Sequence, residues 1–272
     1  MTARGGLGRG SNKEPRPLAL VTGGCRRLGA AIAGALAEAG YDLALHSGPA
    51  SQPEPELIQR IEAAGASWRH VPADLADADA VAGLVPAVEA AFGRAPSLLV
   101  NNAARFEYDS PDSATQAGML AHYAVNCAAP VLLAQAVAAR AGADHPVAIV
   151  NILDQRIAAP HSDQFSYTLS KLALAEAGKI LARQFAPHVR VSAVAPGLTV
   201  PTADYDGARM TEAAGLMPLG LLPDPAEIAG AVVYLSGARS ITGQTLFVDG
   251  GAHLCRFSRD FLFLEDRTVT EA

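Results

Sequence analysis

The chain has 272 residues, of which 50% are hydrophobic and 18% charged, and its formal net charge is −6. This composition is typical of a globular protein with one substantial core, and it excludes a disordered chain. The acidic balance and the absence of a basic block argue against a nucleic acid partner. No apolar run reaches the length of a membrane span without an interrupting Gly, Pro or charge, so no membrane association is expected.

Three widely separated cysteines, Cys25, Cys127 and Cys255, show neither the CxxC spacing of a metal site nor an even disulfide framework. We therefore expect a reducing, cytoplasmic location and no bound metal. Residues 1–16 are rich in Gly, Arg, Ser and Pro and lack the apolar core of a signal peptide, which predicts a disordered leader.

Short apolar runs alternate with helical patterns along the chain. Strands are predicted at 18–21, 43–46, 68–71, 98–100, 148–153, 189–195 and 245–248. Helices are predicted at 30–39, 54–64, 78–92, 115–140, 165–185 and 226–235. Residues 198–223 contain several Pro and Gly residues and no clear strand, which is typical of a lid. The alternation predicts a single doubly wound (Rossmann) α/β domain over 17–254, with a mainly parallel seven-stranded sheet.

The segment 255–272 is expected to be a C-terminal extension beyond the last strand. It contains the apolar residues Phe257, Phe261, Leu262, Phe263 and Leu264, which are too many for a solvated end. We expect it to pack on a neighbouring subunit or over the site, with plain docking on its own domain as the alternative.

A glycine-bearing turn follows the first strand, where residues 22–29 read Thr-Gly-Gly-Cys-Arg-Arg-Leu-Gly. Such a turn brings backbone N–H groups and the positive end of a helix to a pyrophosphate. Gly23 would supply the turn, and Gly29 would allow close packing of helix on strand. The intact G-x-G-x-x-G pattern is absent, so a turn without a ligand is the alternative.

The second strand ends at His46 and Ser47 with no acid to bind ribose hydroxyls, and Arg26 and Arg27 lie in the adjacent loop. Two cations without a carboxylate suit a 2′-phosphate. The expected cofactor is therefore NADPH/NADP+, unless both arginines are simply solvated.

Tyr167 and Lys171 are spaced i, i+4 on a predicted helix and so share one face. The lysine could lower the pKa of the tyrosine and make its phenol a usable acid near neutral pH. The pair alone is a weak signal. It gains weight from its position in the chain between the segments Asn101-Asn102-Ala103 and Pro196-Gly197.

The order and spacing of these segments, with Asp74-Leu75, Asn126 and the segment 248–251, resemble the short-chain dehydrogenase/reductase family. The resemblance implies Tyr167 as proton donor, Lys171 as ribose ligand, Asn126 as holder of a relay water and Asp74 as an adenine contact. The resulting cofactor site comprises Gly23, Arg26, Arg27, Leu28, Gly29, His46, Ser47, Asp74, Leu75, Asn102, Ala103, Lys171, Pro196 and Gly197. The family also implies a homo-oligomer, commonly a tetramer, assembled through the helices predicted at 115–140 and 165–185.

Two departures from the family pattern narrow the expectation. The usual middle glycine of the loop is Arg27, and the usual catalytic serine, 13 residues before the tyrosine, is Asp154. Both resemble the pteridine reductase branch, which includes bacterial dihydromonapterin reductases. Phe106, four residues after Asn102, stands where that branch places an aromatic that stacks on the pterin, although a loop hydrophobe is the alternative.

These residues predict an enzyme that reduces a conjugated C=N of a planar, pterin-like heterocycle with NADPH. Asp154, Tyr167, Lys171 and Asn126 are the expected catalytic residues, and Phe106, Asp154 and Tyr167 are expected to bind the substrate. Asp154 could pass a proton to a ring nitrogen, or it could merely cap the turn at 155–156 or pair with Arg156. Reduction of an ordinary carbonyl (3-oxoacyl, sugar or steroid) and a non-catalytic NADP-binding sensor stay open.

Overall fold

The computed structural model describes residues 15–201 and 207–264, so the predicted leader up to residue 14 and the final part of the extension lie outside the described residues. Arg16, which the sequence assigns to the leader, is part of the folded domain. Its guanidinium donates to the carbonyls of Gly40, Ala37 and Ala64 at 3.0, 3.0 and 2.9 Å. The domain therefore begins at or before Arg16.

Seven short, mostly buried runs form one sheet. The strands are β1 Leu18–Val21, β2 Asp42–Ser47, β3 Trp68–Pro72, β4 Leu98–Asn101, β5 Val147–Ile152, β6 Val189–Pro196 and β7 Thr245–Val248. All neighbouring pairs are parallel, in the order β3-β2-β1-β4-β5-β6-β7. This confirms the predicted doubly wound sheet. The order reverses direction between β1 and β4, which opens a crevice at the carboxyl ends of the strands, where ligands bind in such folds.

Helices cover both faces of the sheet. They are α1 Arg27–Glu38, α2 Pro55–Ala63, α3 Ala78–Phe92, α4 Gln116–Tyr123, α5 Ala129–Ala138, α6 Phe165–Gln184, α7 Gly207–Ala214 and α8 Pro225–Gly237. One apolar core packs α1, α2 and α8 on one face, and a second packs α3 and α5 on the other. The helix α7 lies in the region 198–223, where no element was predicted. It has only eight residues and buries only Ala213, so its pattern is too short to identify a helix from sequence.

The single helix predicted at 115–140 is interrupted by a π-helical turn, Ala124–Ala128, between α4 and α5. Such turns frequently mark functional positions, and this one carries the fully buried Asn126. The combined helix Gln116–Ala138 is long and apolar enough to cross a membrane by length and composition alone. However, Leu133 and Val137 place it in the core against the sheet, as expected for an inner helix of a globular domain.

Candidate active site

A cavity of about 520 Å³ opens at the carboxyl ends of the strands. The predicted site residues that line it are Gly23, Arg26, Arg27, Leu28, Gly29, His46, Ser47, Asn102, Ala103, Phe106, Asp154, Tyr167, Lys171, Pro196 and Gly197. Three others, Asp74, Leu75 and Asn126, are not part of its lining. The turn after β1 and the Tyr167–Lys171 pair, which are far apart in sequence, therefore face one space.

The turn after β1 is held by hydrogen bonds to the segment after β4. Thr22 Oγ1 accepts from the backbone N–H groups of Asn102 and Ala103 at 2.9 and 3.0 Å. The Asn102 side chain donates to the carbonyls of Thr22 and Gly23 at 2.9 and 3.1 Å. Asn102 thus acts on the cofactor loop by bracing it. The matching role of Thr22 was missed, because a hydroxyl at the end of an apolar strand is no signal by itself.

The two glycines of the turn have the predicted roles. Gly23 has a φ of +61°, in the left-handed region that favours glycine. A Cβ on Gly29 would lie 1.9 Å from the carbonyl oxygen of Gly23, so only glycine allows α1 to begin this close to β1. Both positions serve the close approach of backbone that a dinucleotide requires.

The start of α1 is suited to an anion. Arg26 at its N-cap makes no capping hydrogen bond through its side chain, and the first turn of α1 carries no acidic residue. Backbone N–H groups in a first turn have no helical acceptors and carry partial positive charge. With Ser47 and no carboxylate at the end of β2, this part of the cavity fits the pyrophosphate and 2′-phosphate of NADP(H).

The two loop arginines occupy different environments. Arg27 has a φ of +52°, which explains why glycine is usual at this position in the family. Its guanidinium donates to the carbonyl of Pro201 at 3.3 Å, across the cavity on the lid segment. Arg26 is exposed at the rim of the cavity, and the part of the chain that the structure describes offers it no ion pair. Arg26 is therefore the better placed of the two for a phosphate.

His46 supports the loop without contributing charge. Its Nδ1 accepts from the N–H of Gly23 at 3.2 Å, and its Nε2 lies 3.1 Å from the carbonyl of Ala73. Burial lowers the pKa of His46 to about 4, so the ring is neutral at neutral pH. The neighbouring Ser47 Oγ lies 2.8 Å from Nε2 of His70. His46 is thus a positioning residue for the turn.

The residues outside the cavity lining have structural contacts. Asp74 is exposed, and its carboxylate accepts from the N–H of Ala76 at 2.9 Å, while Leu75 is buried in the core. The Asn126 side chain accepts from the N–H of Arg105 at 2.7 Å and donates to the carbonyl of Arg105 and to Ser170 Oγ, both at 2.9 Å. Asn126 therefore clamps the loop that leads to Phe106.

Asp154 contacts Tyr167 directly. One carboxylate oxygen accepts from the Tyr167 hydroxyl at 3.1 Å. The other accepts from the N–H of Arg156 at 2.9 Å and caps the 3₁₀ turn Gln155–Ile157. The sequence left two alternatives for Asp154, a contact within the site and a cap on the turn, and Asp154 makes both, one through each carboxylate oxygen. Lys171 is buried beside them, and its Nζ donates to the carbonyl of Ile152 at 2.7 Å.

The electrostatics of Tyr167 differ from the expectation. Burial, and then the negative charge of Asp154, raise the pKa of Tyr167 well above its usual value, while Arg156 opposes this rise. The predicted lowering of the tyrosine pKa is therefore wrong in direction for this arrangement, because the sequence could not show that the phenol is buried and donates a hydrogen bond to the aspartate. Burial also lowers the pKa of Lys171 to about 8, against the opposing charge of Asp154.

Phe106 stands at the mouth of the cavity. Its ring packs edge to face on Tyr167 with centroids 4.7 Å apart, and 54% of the residue is exposed. The Arg156 guanidinium carbon lies 5.7 Å from the Phe106 ring centroid and 6.0 Å from that of Tyr167. An exposed aromatic beside the tyrosine supplies a flat apolar wall on which a planar ring can pack.

The described part of the C-terminal extension packs over this mouth. Asp260 forms a buried ion pair with Arg156, and Phe261 lines the cavity. Arg259 donates to the carboxylate of Asp163 at 2.7 and 3.2 Å. These contacts join residues about a hundred positions apart in the chain, and no sequence motif marks them.

Comparison with known proteins identifies the family. A family model described as "Enoyl-(Acyl carrier protein) reductase" matches residues 24–253. The chain belongs to the short-chain dehydrogenase/reductase family. The resemblance stated from the motifs is thereby confirmed, and the chain is an oxidoreductase of that family.

Several relatives have named activities. The crystal structure of "FolM Alternative dihydrofolate reductase 1" from Brucella suis, in complex with NADP, is 37% identical with a TM-score of 0.79, and covers 88% of this chain and 95% of that chain. The 3-oxoacyl-[acyl-carrier-protein] reductase of Staphylococcus aureus is 31% identical, over 87% of this chain and 98% of its own length. The D-threitol dehydrogenase of Mycolicibacterium smegmatis is 32% identical, over 86% of this chain and 92% of its own length. The NADP bound to the Brucella protein agrees with the cofactor predicted from the loop.

Proposed function

We propose that this protein reduces a conjugated C=N bond of a pterin-like heterocycle with NADPH. The observation that carries the proposal is the hydrogen bond between Tyr167 and Asp154, in a cavity whose mouth presents the exposed ring of Phe106. NADPH supplies the hydride when bound. The chain's own residues then have to hold a flat ring and deliver a proton to nitrogen.

Asp154 suits a nitrogen better than a ketone oxygen. The serine that usually occupies this position can donate a hydrogen bond to a carbonyl, whereas an ionised carboxylate only accepts and repels a developing alkoxide. A pterin offers ring N–H groups from which the carboxylate can accept. The nitrogen left after hydride addition to C=N is also more basic than an alkoxide, so it can take a proton from a tyrosine whose pKa is raised.

Each residue of the cluster then has a defined task. The Tyr167 hydroxyl donates to Asp154, so its proton passes to the ring nitrogen through the Asp154 carboxylate and leaves a phenolate on Tyr167. Lys171 places a buried cation 5.6 Å from the Tyr167 ring centroid, which stabilises negative charge on the phenol oxygen during transfer. Phe106 packs against one face of the heterocycle.

The name of the Brucella relative supports a pterin-type substrate, whereas the 3-oxoacyl reductase and the threitol dehydrogenase favour a carbonyl or alcohol. Carbonyl reduction is therefore the second candidate. A non-catalytic NADP-binding role is disfavoured, because Tyr167 and Lys171 are both kept and both line the cavity with Asp154.

The test measures NADPH oxidation with 7,8-dihydrobiopterin, dihydromonapterin, dihydrofolate and ethyl acetoacetate, for the wild type and for Asp154→Asn and Asp154→Ser. We expect turnover of a dihydropterin, and a loss of about 10²–10⁴-fold in both variants because the proton path is broken. Ethyl acetoacetate reduction is expected to be unchanged or improved in Asp154→Ser. Full dihydropterin activity in both variants would refute the role of Asp154.

We further propose a homotetramer in a reducing cytoplasm. The three cysteines are free, and Cys25 and Cys127 are buried. Burial raises the thiol pKa of both, so neither has the thiolate character of a reactive cysteine.

Exposed apolar side chains on α4, α5 and α6, among them Leu120, Leu132 and Ile180, supply a surface for assembly.

A further inference from the structure

Gln164, immediately before α6, has a strained backbone. Its φ and ψ are +48° and +52°, in the left-handed region that L side chains rarely adopt. Among the residues that the structure describes, only Arg27 and Gln164 are non-glycine residues with positive φ, and both line the same cavity. Strain of this kind persists where the surroundings impose it, and it is concentrated at functional sites.

The side chain of Gln164 is also unusual. It is 4% exposed, and its amide oxygen has no hydrogen-bond partner within the described ranges 15–201 and 207–264. Burying a polar atom without a hydrogen-bond partner costs free energy, unless a bound ligand supplies the partner. Because Gln164 lines the cavity together with Asp154 and Tyr167, the missing partner is expected on a molecule bound there.

The neighbours of Gln164 impose its conformation from both sides. The Asp163 carboxylate accepts from the N–H of Asp260 at 2.8 Å and from the Arg259 guanidinium at 2.7 Å. The Asp109 carboxylate accepts from the N–H of Ser166 at 3.0 Å. The segment is thus fastened to the C-terminal extension before Gln164 and to the loop after β4 beyond it. These bonds hold the chain on both sides of Gln164 and so keep this residue in place despite its backbone strain.

We propose that Gln164 determines specificity by pairing its carboxamide with the polar edge of the substrate ring. This rests on the proposed function for the identity of that ring. A carboxamide carries one acceptor and one donor side by side, so it matches a heterocycle edge with adjacent N–H and C=O or ring-nitrogen groups. A pterin has such an edge. An open-chain ketone has only an acceptor, so it cannot satisfy the Gln164 oxygen.

The test compares Gln164→Gly with the wild type. Glycine adopts the left-handed conformation without strain and is tolerated at a helix N-cap, so the variant is expected to fold with an equal or higher Tm. It removes the carboxamide, so the Kd of pterin, measured by quenching of pterin fluorescence with NADP+ saturating, is expected to rise about tenfold. The Kd of NADP+ is expected to be unchanged. Gln184→Gly, at the exposed end of α6, is the matched control and should keep the wild-type Kd for pterin.

The outcomes separate this inference from the proposed function. A Gln164→Gly variant with wild-type pterin affinity overturns the inference, as does a variant that loses Tm and NADP+ affinity together. A wild type that binds pterin but reduces no dihydropterin overturns the proposed function alone. A wild type that binds no pterin overturns both. Higher or equal Tm with weaker pterin binding supports the inference, because a purely structural glutamine would not give that combination.

Discussion

In the half of the cavity next to α1, backbone groups and small residues set the geometry, whereas in the half next to Phe106 charged side chains from distant segments set it. The first half depends on the left-handed Gly23 and on the bonds between Thr22 and Asn102. The second half depends on Asp154, and on the ion pairs that bring residues 259–261 onto residues 156 and 163. The first is a dinucleotide cradle built on local backbone geometry, and the second is built from contacts between segments that lie far apart in the chain.

The contrast has a physical basis. A dinucleotide presents the same phosphates to every relative, so local rules of turn and helix-end geometry are sufficient to bind it. A substrate differs between relatives, and its recognition requires side chains placed by the whole tertiary structure. Function-specific residues are therefore expected in the second half, and variants there should alter substrate use while leaving cofactor affinity intact.

Lys171 lies where the two halves meet, and among the changes that compare the two halves its titration should produce the largest effect on kcat/KM. With a pKa lowered to about 8 by burial, it is charged below that pH and neutral above it. We expect kcat/KM to fall with rising pH above about 8, reaching a loss of about a hundredfold two pH units higher, because the cation beside Tyr167 is lost. The measurement is kcat/KM with NADPH as a function of pH, obtained from pre-steady-state or steady-state kinetics.

The Lys171→Arg variant provides the control for this profile, because a guanidinium stays charged throughout the range. The readout is the shape of its pH profile, in which the alkaline decline should disappear. The same decline in Lys171→Arg would assign the titration to another group and would remove Lys171 from the proposed electrostatic role.

The cofactor half can be tested with its two arginines. Arg26→Ala should lower kcat/KM for NADPH by more than tenfold, since one charge-assisted contact contributes about 1.5–3 kcal/mol, and should leave NADH use unchanged. Arg27→Ala should have a smaller effect, because its guanidinium is bonded to the Pro201 carbonyl. Kinetics with both cofactors decide this. A larger loss in Arg27→Ala would reverse the assignment.

The sequence was sufficient to predict the fold and most of the residues in the half of the cavity next to α1. Strand β7 and helix α3 have the predicted bounds, because apolar periodicity and turn residues define them locally. The interruption of the helix at Ala124–Ala128 could not be predicted, since it depends on how Asn126 is held by Arg105 and Ser170.

In the substrate half of the cavity, only the residues that belong to a sequence motif were predicted as site residues. Phe106 and Asp154 were identified by their spacing from Asn102 and Tyr167, and the structure brings both to the cavity. Gln164 was missed as a site residue, and Phe261 was predicted only as part of an extension that packs on a neighbouring subunit or over the site. The strain of Gln164 is a backbone property that composition does not show, and Phe261 reaches the cavity through the pairing of Asp260 with Arg156.

Substitution of Phe106 tests the substrate half by itself. Phe106→Ala should raise the KM for a dihydropterin by about tenfold through lost stacking and burial, while NADPH affinity stays the same. Tyr234→Ala is the control, because this aromatic is similarly exposed, at 60% against 54%, but lies on α8 away from the cavity. An unchanged KM in a folded Phe106→Ala protein would contradict stacking on this ring.

The smallest effect on catalysis is expected from changes at the proposed subunit surface. Ile180 on α6 is 68% exposed and Leu120 on α4 is 58% exposed, and these two helices pack against each other. Ile180→Glu should therefore reduce the mass measured by light scattering at micromolar concentration, because a buried, unpaired charge opposes association. Ile180 is not among the residues that line the cavity, so kcat/KM should change little. Leu219→Glu, at an equally exposed leucine outside these helices, should leave the mass unchanged. A wild type that is already monomeric would refute the tetramer and leave both halves of the cavity unaffected.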